Sequence, residues 1–125
     1  MITNFEEETD ELSKKEKELI PIIVDGLKVK IGKSQAVTAT VIIKAFRNRG
    51  TKIDPARMRK MINYIRINDL IPCLVSSHKG YHVSVDDQEI LEYRNSLRER
   101  AAAILALEEA IRRQQLGRNK QNSMF

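Results

Sequence analysis

"DPARMRKMINYIR", residues 54–66, decides how this chain is read. Asp-Pro at its head is a helix-opening pair: Asp54 fits the N-cap, and Pro55 fits the first helical position, where a missing amide hydrogen costs nothing. Met58, Met61, Ile62 and Ile65 then recur at i, i+3, i+4 and i+7, one apolar stripe on a helix. With that stripe inward, a turn of about 100° per residue sends Ala56, Arg57, Arg59, Lys60, Asn63 and, at the edge of the face, Tyr64 outward.

Just upstream lies "AVTATVIIKAFRNRG", residues 36–50. It opens on a short β-branched run and continues with Val41, Ile42, Ala45 and Phe46 as a second amphipathic helix, ended by Gly50. Only "GTKI" separates the two helices, so the pair reads as a helix-turn-helix, a pattern that also builds plain helical hairpins. An earlier helix starts at the capping box of Ser13 and Glu16 and carries Leu19, Ile20, Ile23 and Leu27 on one face. Pro21 inside it implies a kink or a restart. Residues 1–12 have little to bury and are expected to be disordered.

After "NDL" the period changes from 3.6 to 2. Ile71, Cys73 and Val75 alternate with Pro72, Leu74 and Ser76, and Tyr81, Val83 and Val85 follow a polar loop, "SSHKG". This is a β-hairpin in which Gly80 takes positive φ and Cys73 is a small core residue. Asp86 or Asp87 caps a last helix running to about Leu116, and residues 117–125 read as a frayed tail. The expected architecture is mainly α with a small β-hairpin (α+β): a domain over residues 13–85 and a long C-terminal helix over 86–116.

Charge is unevenly placed. The chain of 125 residues has a net charge of +5, yet Glu6, Glu7, Glu8, Asp10 and Glu11 crowd residues 1–12 with no base among them. Between residues 28 and 66 stand Lys28, Lys30, Lys33, Lys44, Arg47, Arg49, Lys52, Arg57, Arg59, Lys60 and Arg66, opposed by Asp54 alone. That asymmetry points to a polyanionic partner or to a solvated basic surface, and its coincidence with the outward face of residues 54–66 favours the partner.

Helix, short strand, helix, tight turn, helix and hairpin is the element order of a winged helix-turn-helix. The chain resembles that superfamily over residues 19–85, above all in "RMRKMINYIRINDLIP" and "SSHKGYHVS", which match its recognition helix and wing. More narrowly it resembles the small winged-helix proteins of phages and prophages and is similar to the N-terminal domain of biotin operon repressors. "VDDQEILEYRNSLRER" also resembles the charged helix that follows the wing in phage-type members.

The resemblance implies double-stranded DNA as partner, with residues 55–66 in the major groove and the wing on the backbone or minor groove, in a transcriptional regulator or replication factor. Arg can bond a guanine edge through two hydrogens, Asn an adenine edge, and Lys and Tyr can hold phosphate. The candidate DNA-binding set is therefore Arg57, Arg59, Lys60, Asn63, Tyr64, Lys52, His78 and Lys79. The competing reading is a winged-helix module that binds a protein through its long helix. RNA binding is disfavoured, since Phe5, Phe46 and Phe125 do not lie in a strand platform for stacking.

The long helix fits a heptad, with Ile90, Leu97, Ile104 and Ile111 at one seam position and Tyr93, Arg100, Leu107 and Gln114 at the other. Ile90, Tyr93, Leu97, Ile104, Leu107 and Ile111 are accordingly the candidate homodimer interface. The polar members of the second column leave open that the helix instead lies on the globular domain, with Leu91, Ala101 and Leu105 widening its stripe.

Enzymatic and metal readings fare worse. "GLKVKIGKS", residues 26–34, has five residues between its glycines where a phosphate loop needs four, and follows a helix rather than a strand. His78 and His82 straddle a turn and do not share a face, so neither a metal site nor another cofactor is expected, and His82 reads as a strand-surface residue. No Ser-His-Asp or paired-carboxylate arrangement can be proposed, so neither an enzyme nor a small-molecule substrate is expected. One cysteine, no charged-then-apolar leader and no long apolar run lead to the expectation of a soluble, cytoplasmic protein without membrane contact.

Overall fold

The computed structural model describes residues 11–118. Among the described residues four helices and one two-stranded antiparallel hairpin follow in the order α1 (Lys14–Leu27), a 3-10 turn (Lys33–Gln35), α2 (Ala39–Asn48), α3 (Pro55–Ile67), β1 (Leu74–Ser77), β2 (Gly80–Val83) and α4 (Asp87–Gly117). This is the expected mainly α class with a small β-hairpin and a long C-terminal helix. Two compact units are distinguished, one ending at Ile90 and the next beginning at Leu91. Of the segments expected to be disordered or frayed, 1–12 and 117–125, residues 1–10 and 119–125 lie outside the described residues, while Leu12 is buried in the core and Gly117 still belongs to α4.

The capping box at the head of α1 forms as the sequence implies. Glu16 N donates to Ser13 Oγ at 3.1 Å, and Ser13 N donates to Glu16 Oε1 at 2.9 Å. Ile20, Ile23 and Leu27 are buried along one face. The helix runs through Pro21 without a restart, with the proline exposed to solvent.

In α2 the buried positions are Ile43 and Phe46, while Val41 and Ala45 are exposed; the face is rotated from the one expected. Thr38 sets that register, because its Oγ1 caps Val41 N at 3.2 Å and starts the helix at Ala39. Gly50 ends it at φ 84°, and Thr51 N donates to Phe46 O at 2.9 Å, the wrap-back bond of a glycine C-terminus.

Met58, Met61, Ile62 and Ile65 of α3 have no exposed surface and form the centre of the core, joined by Ile53 from the turn and by Ile20, Ile23, Leu27, Ile43, Phe46, Ile71 and Leu74. Ala56, expected outward, is buried. Asp54 occupies the N-cap with extended backbone, but its side chain accepts no cap bond, so Pro55 supplies the start.

The hairpin corrects the simple alternation. β1 begins at Leu74, not near Ile71, and Leu74 and Val75 are both buried. His82, directly across from Val75, is buried as well rather than lying on the strand surface. Both faces of the hairpin are covered, which abolishes the period-2 pattern. Cys73, expected in the core, is exposed at φ 56°, in the turn that brings the chain into β1.

The outer edge of β2 is not free. Val37 and Tyr81 exchange backbone bonds of 2.9 and 2.8 Å, and Val83 bonds Lys30 O and Gly32 N. The strand expected between the first two helices is thus reduced to single-residue bridges at Ile31 and Val37.

Asp86 caps α4, its Oδ1 accepting from Gln88 N at 2.9 Å and Glu89 N at 3.4 Å. No residue of α4 is buried, and among the described residues no helix is long and apolar enough to cross a membrane.

Candidate nucleic-acid interface

No Asp or Glu occurs anywhere in α3, so its solvent side is uniformly basic or neutral. Arg59 and Asn63 are exposed, Lys60 is half-buried, and Tyr64 is half-buried with its ring packed on the core. Lys52 is exposed in the turn that precedes the helix, and His78 and Lys79 are exposed at the hairpin tip. The register pairs Ser77 with Gly80, leaving His78 and Lys79 as a two-residue turn, in which Lys79 N donates to Ser77 Oγ at 3.1 Å.

Gly80 makes that turn possible. Its φ is 114°, and a Cβ there would sit 2.4 Å from the Val37 carbonyl carbon and oxygen. Only glycine permits both the positive φ and the approach of the 37–38 backbone.

Arg57 departs from its expected outward direction. Its Nε donates to Glu16 Oε2 at 2.8 Å and its Nη2 to Glu16 Oε1 at 2.7 Å, with a further bond of 3.0 Å from Nη2 to Glu11 O. Both side chains of this fork-to-fork pair are mostly buried. The Arg57 guanidinium, foremost by this hydrogen bonding, holds the Glu16 carboxyl down at about 2. The pair ties the start of α1 to the start of α3.

Arg66 is the residue that sequence reasoning undervalued. It was legible only as one more base on the helix, although it stands three residues beyond Asn63 on the same face. Its Nε donates to Leu74 O at 2.8 Å, its Nη2 to Ser76 Oγ at 3.0 Å and its Nη1 to Asn63 Oδ1 at 3.1 Å. The guanidinium also lies 5.6 Å from the centroid of the Tyr81 ring. One side chain therefore joins α3 to both strands and orients the Asn63 amide. Asn63 Oδ1 retains a second lone pair, and its Nδ2 carries two hydrogens.

Beyond the hairpin, His82 Nε2 lies 2.8 Å from Glu89 Oε1 in the first turn of α4. The Ser84 hydroxyl first, and His82 second, lower the Glu89 carboxyl below its ordinary range. The contact fixes the end of the hairpin to the start of α4, within the first unit.

Of the candidate interface residues on α4, Ile90 and Tyr93 are half-buried, whereas Leu97, Ile104, Leu107 and Ile111 are 45, 68, 64 and 57 % exposed. The described residues contain no group of three or more His, Cys, Asp or Glu able to hold a metal ion. Comparison with protein-family models, with curated proteins and with solved structures finds no match for this chain.

Proposed function

We propose that this chain is a winged helix-turn-helix protein that binds double-stranded DNA in the cytoplasm, as a transcriptional regulator or replication factor of phage or prophage type. In this reading α3 enters the major groove and the β1–β2 turn lies on the phosphate backbone. The observation that carries it is the acid-free outer face of α3, fixed to the hairpin through Arg66.

Arg59, Lys60 and Asn63 are the base readers. Arg57 is engaged by Glu16 and acts in the fold. Asn63 presents the donor and acceptor that an adenine edge requires, and Arg66 holds the amide in place before DNA arrives, which reduces the ordering cost of binding. Lys52, Tyr64, His78 and Lys79 are suited to phosphate contacts that fix register without reading sequence.

A single recognition helix reads few base pairs, so avidity from a homodimer complements it. The exposed apolar side chains Leu97, Ile104, Leu107 and Ile111 support pairing through α4. They also favour the second reading, in which α4 docks another protein and the basic surface is incidental.

Selection of bound duplexes from a random pool, followed by fluorescence anisotropy on the enriched sequence, tests the proposal. Enrichment of a defined site, lost when Asn63 and Arg59 are replaced by Ala, is expected. Absence of both enrichment and measurable duplex binding overturns it.

A further inference from the structure

The heptad of α4 carries information about direction as well as pairing. We propose that α4 associates with a second copy in antiparallel orientation, with the twofold axis passing beside Ala101 and Ala103. This rests on the homodimer reading above and adds its geometry.

Three features of the helix fit this arrangement, and the first and third set it apart from a parallel one. First, Arg100 falls in the seam and is exposed, its Nε lying 3.5 Å from Ser96 O on its own helix. In a parallel pair each layer faces itself, so Arg100 would meet the partner's Arg100 across a desolvated seam, and two like charges there are unfavourable. In the antiparallel pair centred near Ala102, Arg100 faces the partner's Ile104, and its stem can cover that side chain while the guanidinium reaches solvent.

Second, the same register sets Leu97 against the partner's Leu107 and Ile111 against the partner's half-buried Tyr93, so the apolar layers stay filled, as in a parallel pair, while the Arg100 layer is relieved. Third, flanking positions then meet their own kind: Arg94 lies beside the partner's Glu108, and by symmetry Glu108 lies beside the partner's Arg94. The parallel alternative sets Glu108 beside the partner's Ala103 and Arg94 beside the partner's Glu89, a carboxylate that His82 of its own chain already engages at 2.8 Å. At the twofold itself stand Ala101 and Ala103, whose small side chains leave room for close approach. Opposite charges at mirrored positions and small residues at the centre are the self-complementary pattern that a closed twofold pair needs.

Disulfide trapping in the full chain, with Cys73→Ser to remove the native thiol, decides the orientation. Ala101→Cys is expected to cross-link to its own copy on mild oxidation, because position 101 meets itself at the antiparallel twofold. Leu97→Cys is expected not to, because its two copies then lie about 15 Å apart along the axis. Cross-linking of Leu97→Cys but not of Ala101→Cys overturns the orientation and leaves the dimer standing. A monomeric mass for the unmodified chain by sedimentation equilibrium at high micromolar concentration overturns the dimer itself.

Charge exchange supplies a second readout. Glu108→Arg turns two attractions into two repulsions and is expected to weaken the dimer about tenfold, with Arg94→Glu in the same chain restoring it. An unchanged dissociation constant in Glu108→Arg overturns the antiparallel register.

Discussion

Arg57 closes on Glu16 across 41 positions of sequence through two parallel hydrogen bonds, Nε to Oε2 at 2.8 Å and Nη2 to Oε1 at 2.7 Å. Glu16 is at the same time the third residue of α1, where it completes the capping box with Ser13. One carboxylate thus caps its own helix and anchors α3, and the helix that presents the basic face is held at its first turn by an acid from α1.

That double role makes stability depend on pH. The Glu16 carboxyl titrates at about 2 in the fold against 4.5 for an unperturbed glutamate. A lowered folded value means that the contribution is complete above about 4.5 and is lost as pH falls toward 2. Thermal melts at pH 6, 4 and 2.5 should show the wild type losing stability over that range. Glu16→Gln should melt lower at pH 6 and lose less on acidification. Arg57→Met should cost about 1 to 3 kcal/mol at neutral pH, since it leaves a mostly buried carboxylate without its partner.

Gly80 provides the sharpest test of the hairpin. Replacement by Ala must accommodate both φ 114° and a Cβ at 2.4 Å from the Val37 carbonyl. The expected loss is about 2 kcal/mol or more, read as a lower urea midpoint with an unchanged slope. Amide exchange should accelerate at Tyr81 and Val37, whose mutual backbone bonds hold the outer edge of β2.

Much of this fold was legible because its signals are local. Ser13 with Glu16, Asp54 with Pro55, Gly50 and Gly80 each act within a few residues, and each marks a boundary that the structure keeps. The stripe Met58, Met61, Ile62 and Ile65 is long and regular enough to name the core. What escaped depends on distant neighbours. Arg57 looks like any outward base until Glu16 is brought to it, and His82 looks like a surface strand residue until Glu89 closes over it. Arg66 could be counted as a charge, but its grip on Leu74 O and Ser76 exists only once the hairpin folds against α3. Cys73 failed for another reason: positive φ in a non-glycine residue has no reliable sequence signal.

Core and surface positions of α3 should separate cleanly under substitution. Ile62 is fully buried, and Ile62→Ala should lower stability by about 2 to 5 kcal/mol, weakening any DNA binding only through unfolding. Asn63→Ala should leave the melting temperature within a degree or two and cost about 1 to 3 kcal/mol of binding at one base pair of the preferred site. Arg66→Met should do both, because it releases the hairpin and the Asn63 amide together. Melting curves beside binding isotherms separate the three patterns. A preferred sequence unchanged by Arg59→Ala, Lys60→Ala and Asn63→Ala would refute the assignment of α3 as the reading helix.

Salt dependence distinguishes a DNA surface from an incidental basic patch. Cations that replace counterions on phosphate make the logarithm of affinity fall linearly with the logarithm of salt concentration, by about 0.9 per phosphate neutralised. Lys52 and Lys79, with further lysines and arginines of the basic stretch 28–66, amount to about four to six such contacts per subunit, so a slope of about −3.5 to −5.5 is expected. Lys79 lies in the two-residue turn at the hairpin tip, outside α3. Lys79→Ala should therefore reduce the slope by about one and weaken binding equally on specific and nonspecific duplexes. Anisotropy titrations of both proteins from 50 to 300 mM potassium chloride measure the two slopes. A wild-type affinity that stays flat with salt would remove the basic face from any role at the phosphate backbone, and an Asn63-dependent sequence preference would then have to arise without it.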